Sequence, residues 1–108
     1  MSLGQEQEAF SHDLVRLLLK AFELGYEVRM GEVQRPIEMQ QLYIKTGRSK
    51  TMNSMHLKKC AADLHFTKDG TLCYPQELGE YWESFNPKNQ WGGNWNSFKD
   101  YPHFQRTV

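Results

Sequence analysis

"NSMHLKKCAADLHF", residues 53–66, is the stretch on which the fold turns. "CAADLHF" reads as a strand that ends in a turn at Asp69-Gly70. Successive side chains of a strand face opposite ways, so Ala61, Asp63 and His65 share one face and Ala62, Leu64 and Phe66 the other. A polar face therefore backs onto an apolar one. His56 stands on the loop that enters the strand, and such a loop can fold back to set its imidazole beside the Asp63 carboxylate.

Working outward, residues 6–24 carry Phe10, Leu14, Leu17, Leu18 and Phe22 near helical spacing with Gly25 as a stop, which predicts an amphipathic helix forming one wall of the core. "YEVRMGEVQ", residues 26–34, alternates Tyr26, Val28 and Met30 and predicts a half-buried strand. Pro36 opens a second helix that Gly47 ends. Residues 48–55 read as loop. Past Asp69-Gly70 a strand returns through Leu72 and Tyr74. Pro75 starts a third helix to about Phe85, and a last short strand lies in "HFQRTV", residues 103–108. The fold class is α+β, a small antiparallel sheet with helices packed on it.

With 108 residues the chain has room for one domain, taken as residues 1–108, with residues 1–5 expected to be flexible or an artificial leader. Thirteen basic and thirteen acidic residues balance, which removes any general electrostatic grip on nucleic acid or anionic membrane. The longest apolar cluster, "LVRLLLKAF", is interrupted by Arg16 and Lys20 and is no membrane span. It follows the acidic "GQEQEAFSHD" and does not read as a signal peptide. Cys60 and Cys73 are too few for a disulfide scaffold and are expected to be free, partly buried thiols.

Near the C-terminus "KDYPHFQ" places His103 three residues after Asp100. Two imidazoles and a carboxylate from His56, Asp63 and His103 make a three-ligand catalytic zinc site with one position open, and Asp100 is then a spare carboxylate able to act as base. Each residue alone has a blander reading. A lone histidine is more often a surface or packing residue, which is how His12 is read, and Asp63 could be a solvated strand aspartate or an arginine's partner. His65 is taken as adjacent to the pocket. Trp82, Trp91 and Trp95 are expected to fill core beneath the site. Gly92-Gly93 lacks the lysine of a phosphate loop and reads as a tight turn. Cys60 neighbours buried-looking alanines, which speaks against a thiol nucleophile.

The combination resembles a known family. "SMHLKKCAADL" resembles the S-x-H-(x)6-D segment, and "DYPHF" the D/E-x-x-H segment, of the zinc D-Ala-D-Ala carboxypeptidases and L-alanyl-D-glutamate endopeptidases, a group that includes the vancomycin-resistance D,D-dipeptidases and phage endolysins. "VQRPIEMQQLYIKTGRSKTMNS" is similar to the family's arginine-led helix and glycine-serine loop, and "YWESFNPKNQWGGNW" to the stretch before its last metal ligand. The resemblance implies that His56, Asp63 and His103 hold one zinc ion and that Asp100 is the catalytic acid or base. It implies that Arg35 lies near the scissile carbonyl or a substrate carboxylate, and that Ser54, Gln40 and Ser49 are substrate-side or supporting residues. The chain departs from the family at Lys58-Lys59, where glycines are common.

The function these residues imply is hydrolysis of an amide in the peptidoglycan stem peptide. Cleavage between L-alanine and D-glutamate comes first and D,D-carboxypeptidase action second, in a monomer made in the cytoplasm and acting on the wall after phage or prophage lysis. The Hedgehog signalling domain resembles the same scaffold, so a non-catalytic zinc-stabilised binding domain is the alternative of another class.

Overall fold

The computed structural model describes residues 1–34, 37–47 and 54–108. Helix α1 spans Leu3–Glu23. It starts earlier than the apolar periodicity suggests because Ser2 and Gln5 form a reciprocal capping box, the Ser2 hydroxyl accepting from Gln5 N–H and the Gln5 side chain from Ser2 N–H. Residues expected to be flexible thus build the helix cap. The helix stops at Gly25, whose φ of 90° suits glycine.

The buried line of α1 is Glu6, Phe10, Asp13, Leu17 and Ala21. Phe22, expected in the wall, is 51% exposed. Hydropathy misses two members of this line because they are charged and paired. Glu6 accepts from Arg106 Nε at 3.0 Å and from Lys88 Nζ at 3.0 Å, and Asp13 accepts from Asn89 Nδ2 at 3.1 Å. These bonds pin the start of the chain to its end.

The Glu6 bonds also couple the fold to pH. Hydrogen bonds from Lys88 and Arg106, working against the cost of burial, hold the Glu6 carboxyl below its ordinary pKa of 4.5. A lowered folded-state pKa means that the unfolded chain binds more protons in acid, so this contribution is complete above about pH 4.5 and is lost as pH falls through the folded value. Thermal midpoints of wild type and Glu6→Gln are expected to differ most near neutrality, with wild type the higher, and to draw together as pH falls below about 4.5. A gap that persists undiminished at pH 3 would contradict this.

Strand β1 (Glu27–Met30) and helix α2 (Ile37–Lys45) follow. The next described segment is a 3₁₀ turn at Met55–Lys58, leading into β2 (Ala61–Lys68) and β3 (Thr71–Cys73). Helix α3 (Gln76–Ser84), β4 (Asn89–Trp91), a 3₁₀ turn at Gly92–Asn94 and β5 (His103–Arg106) complete the chain. The sheet runs β1-β2-β5-β4 with β3 on β2, every pairing antiparallel. Asp69 and Gly70 take φ of 53° and 78°, the left-handed pair that a two-residue hairpin between β2 and β3 needs. Strand β4 escapes the sequence because three residues are too few to show alternation.

The alternation of β2 holds. Ala62, Leu64 and Phe66 are at most 1% exposed and pack with Leu17, Leu78, Trp82 and Phe104. Burying a leucine or phenylalanine fully contributes about 1.5–3 kcal/mol. This apolar layer makes β2 a rigid base for Asp63 and His65 on its other face. Trp82 also ties α3 to β5 by donating Nε1–H to the Gln105 carbonyl at 3.0 Å.

β1 ends sooner than Gln34. After Met30↔Leu64 the ladder changes, with Gly31 N–H donating to Asp63 O at 2.7 Å and Asp63 N–H donating to Glu32 O at 2.9 Å. Two residues now face one, which is a β-bulge. A Cβ on Gly31 would stand 3.0 Å from the Asp63 carbonyl oxygen, a tight approach that glycine eases. At Lys59 φ is 57°, the left-handed region where glycine carries no Cβ penalty.

Candidate metal centre

His56 is positioned by the residues on either side of it in space. Ser54 caps the 3₁₀ turn by accepting from His56 N–H at 3.2 Å, and the His56 ring is 1% exposed. Its Nδ1 lies 2.9 Å from the Val33 carbonyl oxygen. That oxygen can only accept, so Nδ1 donates to it and Nε2 is the nitrogen left to turn toward Asp63. Nε2 points at Asp63 Oδ1, 3.2 Å away.

His103 arrives on β5 directly opposite Asp63 in the ladder. Its Nε2 is 2.7 Å from Gln105 Oε1. Gln105 is oriented by donating its amide to Gln90 Oε1 at 3.2 Å and Thr107 Oγ1 at 3.0 Å. His103 Nε2 is therefore a donor, and Nδ1 is left facing Asp63 Oδ1 at 3.6 Å and Asp100 Oδ2 at 3.9 Å.

Two ring nitrogens thus converge on a carboxylate, an arrangement that either ring protons or a metal cation completes. The three donor atoms lie within 4.8 Å of one another. Donors about 2.1 Å from a tetrahedral ion stand roughly 3.4 Å apart, and the two contacts to Asp63 straddle that spacing. Histidines whose far nitrogen donates to a carbonyl or amide oxygen have the outer support expected of metal ligands. Burial opposes charge on Asp63, but hydrogen bonds from His103 and His56 outweigh it and hold the carboxyl well below the usual carboxylate range. Histidine, histidine and aspartate fit a zinc ion in donor type and number.

Asp100 is close to this group because of a turn and a glycine. Its carbonyl accepts from His103 N–H at 3.1 Å, so the Tyr101-Pro102 turn brings residues 100 and 103 together. Asp100 N–H donates to the Gly92 carbonyl at 3.1 Å, and a Cβ on Gly92 would collide with the Asp100 carbonyl oxygen. On Gly93 it would collide with the Trp91 ring, which itself holds the turn by donating Nε1–H to the Tyr101 carbonyl at 2.8 Å. The pair, expected to serve a tight turn, does open the 3₁₀ turn at Gly92–Asn94, and neither has positive φ. Close approach is what requires them.

Among the described residues these groups border a cleft of about 320 Å³. Ser54, His56, Asp63, Asp100 and His103 line it as the sequence suggests, joined by three residues that sequence reasoning missed, Glu32, Tyr43 and Trp95. Trp95 was expected in the core with Trp82 and Trp91. Instead it is half-buried, its ring centroid 5.1 Å from that of His103. A strand beginning at residue 103 leaves Trp95 on the segment bordering the site, beyond the core layer. Glu32 carried no signal, since only the bulge turns it inward. Gln40 is fully buried in α2, which suits a supporting place. Arg35 and Ser49 lie outside the described residues. His65 is not in the cluster, and its Nδ1 lies 3.0 Å from the Tyr74 hydroxyl. Cys60 is fully buried, and burial pushes its thiol pKa up, the opposite of what a nucleophile needs. No helix among the described residues is long and apolar enough to cross a membrane.

Comparison with known proteins gives the same direction. The L-alanyl-D-glutamate peptidase of Listeria phage A118 is 34% identical over 86 residues, covering 75% of this chain and 31% of its own length. The chain thus spans about a third of that relative. The crystal structure of the Serratia marcescens L-Ala D-Glu endopeptidase ChiX matches with a TM-score of 0.66 at 27% identity, over 88% of this chain and 78% of the other. A family model described as D-alanyl-D-alanine carboxypeptidase matches residues 47–106, which takes in every member of the His-Asp-His group and Asp100. With more than half of its length matched by that model, the chain belongs to the D-alanyl-D-alanine carboxypeptidase family.

Proposed function

We propose that this protein is a zinc-dependent peptidase of the peptidoglycan stem peptide that cuts the amide between L-alanine and D-glutamate. The observation that carries the reading is the convergence of His56 Nε2 and His103 Nδ1 on Asp63, with Asp100 bordering the same cleft. Both similar proteins are named for that bond. His56, Asp63 and His103 would hold the zinc ion. Bound there, zinc supplies Lewis-acid polarisation of a carbonyl and a lower pKa for water, about 7 in favourable sites.

The chain's own groups account for the rest. Val33 and Gln105 lock both imidazoles in the tautomer that turns a lone pair to the ion. The Asp100 side chain is 44% exposed, open enough to meet water yet fixed through Gly92 and the turn to His103. Asp100 Oδ2 takes a proton from the attacking water and returns it to the leaving amine nitrogen. Trp95 forms part of the wall beside His103, limiting water around the scissile bond.

Digestion of purified peptidoglycan by the zinc-loaded protein tests the assignment. The expected products carry new amino-terminal glutamate, identified by mass and end-group labelling, without free D-alanine. Release of D-alanine would support the second reading, D,D-carboxypeptidase action, which the family's description favours. Stoichiometric zinc with no cleavage would favour a binding domain.

A further inference from the structure

We propose that Glu32 is the substrate-recognition residue on the alanine side of the scissile amide, where it accepts a hydrogen bond from the alanine's own N–H. The proposal rests on the endopeptidase reading and gives that cleft a direction. In a regular ladder Glu32 would oppose Ala62 and share its core-facing side. The bulge sets Gly31 and Glu32 together against Asp63, which shifts Glu32 to the polar face and into the cleft. Tyr43 of α2 donates its hydroxyl to Glu32 Oε2 at 3.3 Å. A carboxylate accepts up to about four hydrogen bonds, so Tyr43 can orient it without being its sole partner.

Charge sets the side. With zinc held, its two charges offset Asp63 and Asp100, so the negative charge left in the cleft is that of Glu32, which repels an anion set directly beside it. A D-glutamate residue that gives its nitrogen to the scissile amide has two carboxyl groups, and the following residue takes only one. Its remaining carboxylate must point away from Glu32. The alanine side brings an uncharged backbone N–H, the donor that a fixed carboxylate binds well.

The test uses zinc-loaded wild type and Glu32→Gln with two N-acylated alanyl-D-glutamyl peptides, one carrying the alanine N–H and one N-methylated there. N-methylation is expected to raise the wild-type KM about tenfold or more, as for a lost hydrogen bond to a charged group. The same change should have a clearly smaller effect on Glu32→Gln, whose amide oxygen still accepts but without the charge, and whose KM for the N–H peptide is already raised while kcat and its pH profile are kept. Tyr43→Phe should show a smaller rise in KM. Equal penalties of N-methylation in both proteins would overturn the proposal while leaving the endopeptidase reading intact. So would a Glu32→Gln defect confined to kcat or accompanied by loss of zinc. Failure of wild type to cut either peptide overturns the endopeptidase reading and the proposal with it.

Discussion

Replacing Asp100 with alanine is expected to lower kcat on peptidoglycan by about 10²- to 10⁴-fold while the protein keeps one zinc ion and its thermal midpoint. The magnitude is that of removing a positioned acid or base. Retention of zinc follows from geometry, because Asp100 Oδ2 stands 3.9 Å from His103 Nδ1 and is not among the three converging donors. Its side chain is partly exposed and outside the core cluster, so alanine leaves no buried cavity. The discriminating readout is the pH profile of kcat. An Asp100→Ala enzyme should lose the acidic limb that a general base imposes, while KM changes little. If the variant lost metal in proportion to activity, Asp100 would be acting as a ligand, and the base would have to be sought elsewhere in the cleft.

How much of this was legible in the sequence differs between face and position. The two faces of β2 were readable because an eight-residue strand shows its period, and Asp63 followed from that period. His103 and Asp100 were legible as a spacing, although the reason the spacing works, a turn whose backbone rests on Gly92, was not. Charged residues in the core were invisible. Glu6 and Asp13 read as the polar side of α1, and only their partners 76 to 100 residues away make their burial tolerable. Glu32 was hidden for a different reason. Its direction depends on one extra residue in a ladder, and a bulge leaves no periodic trace. The family resemblance supplied what local pattern could not, a reason to place residues 56, 63, 100 and 103 in one site before the chain was folded.

Zinc is expected to raise the thermal midpoint by about 10–20 °C when its free concentration is 100 times Kd. A ligand bound only by the folded state then adds about 2.7 kcal/mol, and a domain of this size gains roughly 4–8 °C per kcal/mol. The structure says where this increment arises. His56 Nε2 and His103 Nδ1 face a carboxylate that is only partly open to water, and zinc takes the place of the ring protons that would otherwise bridge them. Asp63→Asn separates the metal from the fold. The amide has nearly the same shape and keeps a hydrogen-bonding group beside each ring nitrogen, but it is a far poorer zinc ligand than the carboxylate. The variant free of zinc should melt close to the wild type free of zinc, or slightly below it because the hydrogen bonds that hold the Asp63 carboxyl low are weakened, while its response to zinc falls to a few degrees or less. His56→Ala should abolish the same response but also lower the midpoint before any metal is added, because it empties a fully enclosed position and strands the Val33 carbonyl. Differential scanning of the three proteins with and without zinc distinguishes these cases. An undiminished zinc shift in Asp63→Asn would mean that the ion sits elsewhere, whereas a shift lost in both variants ties it to the bulge-braced face of β2.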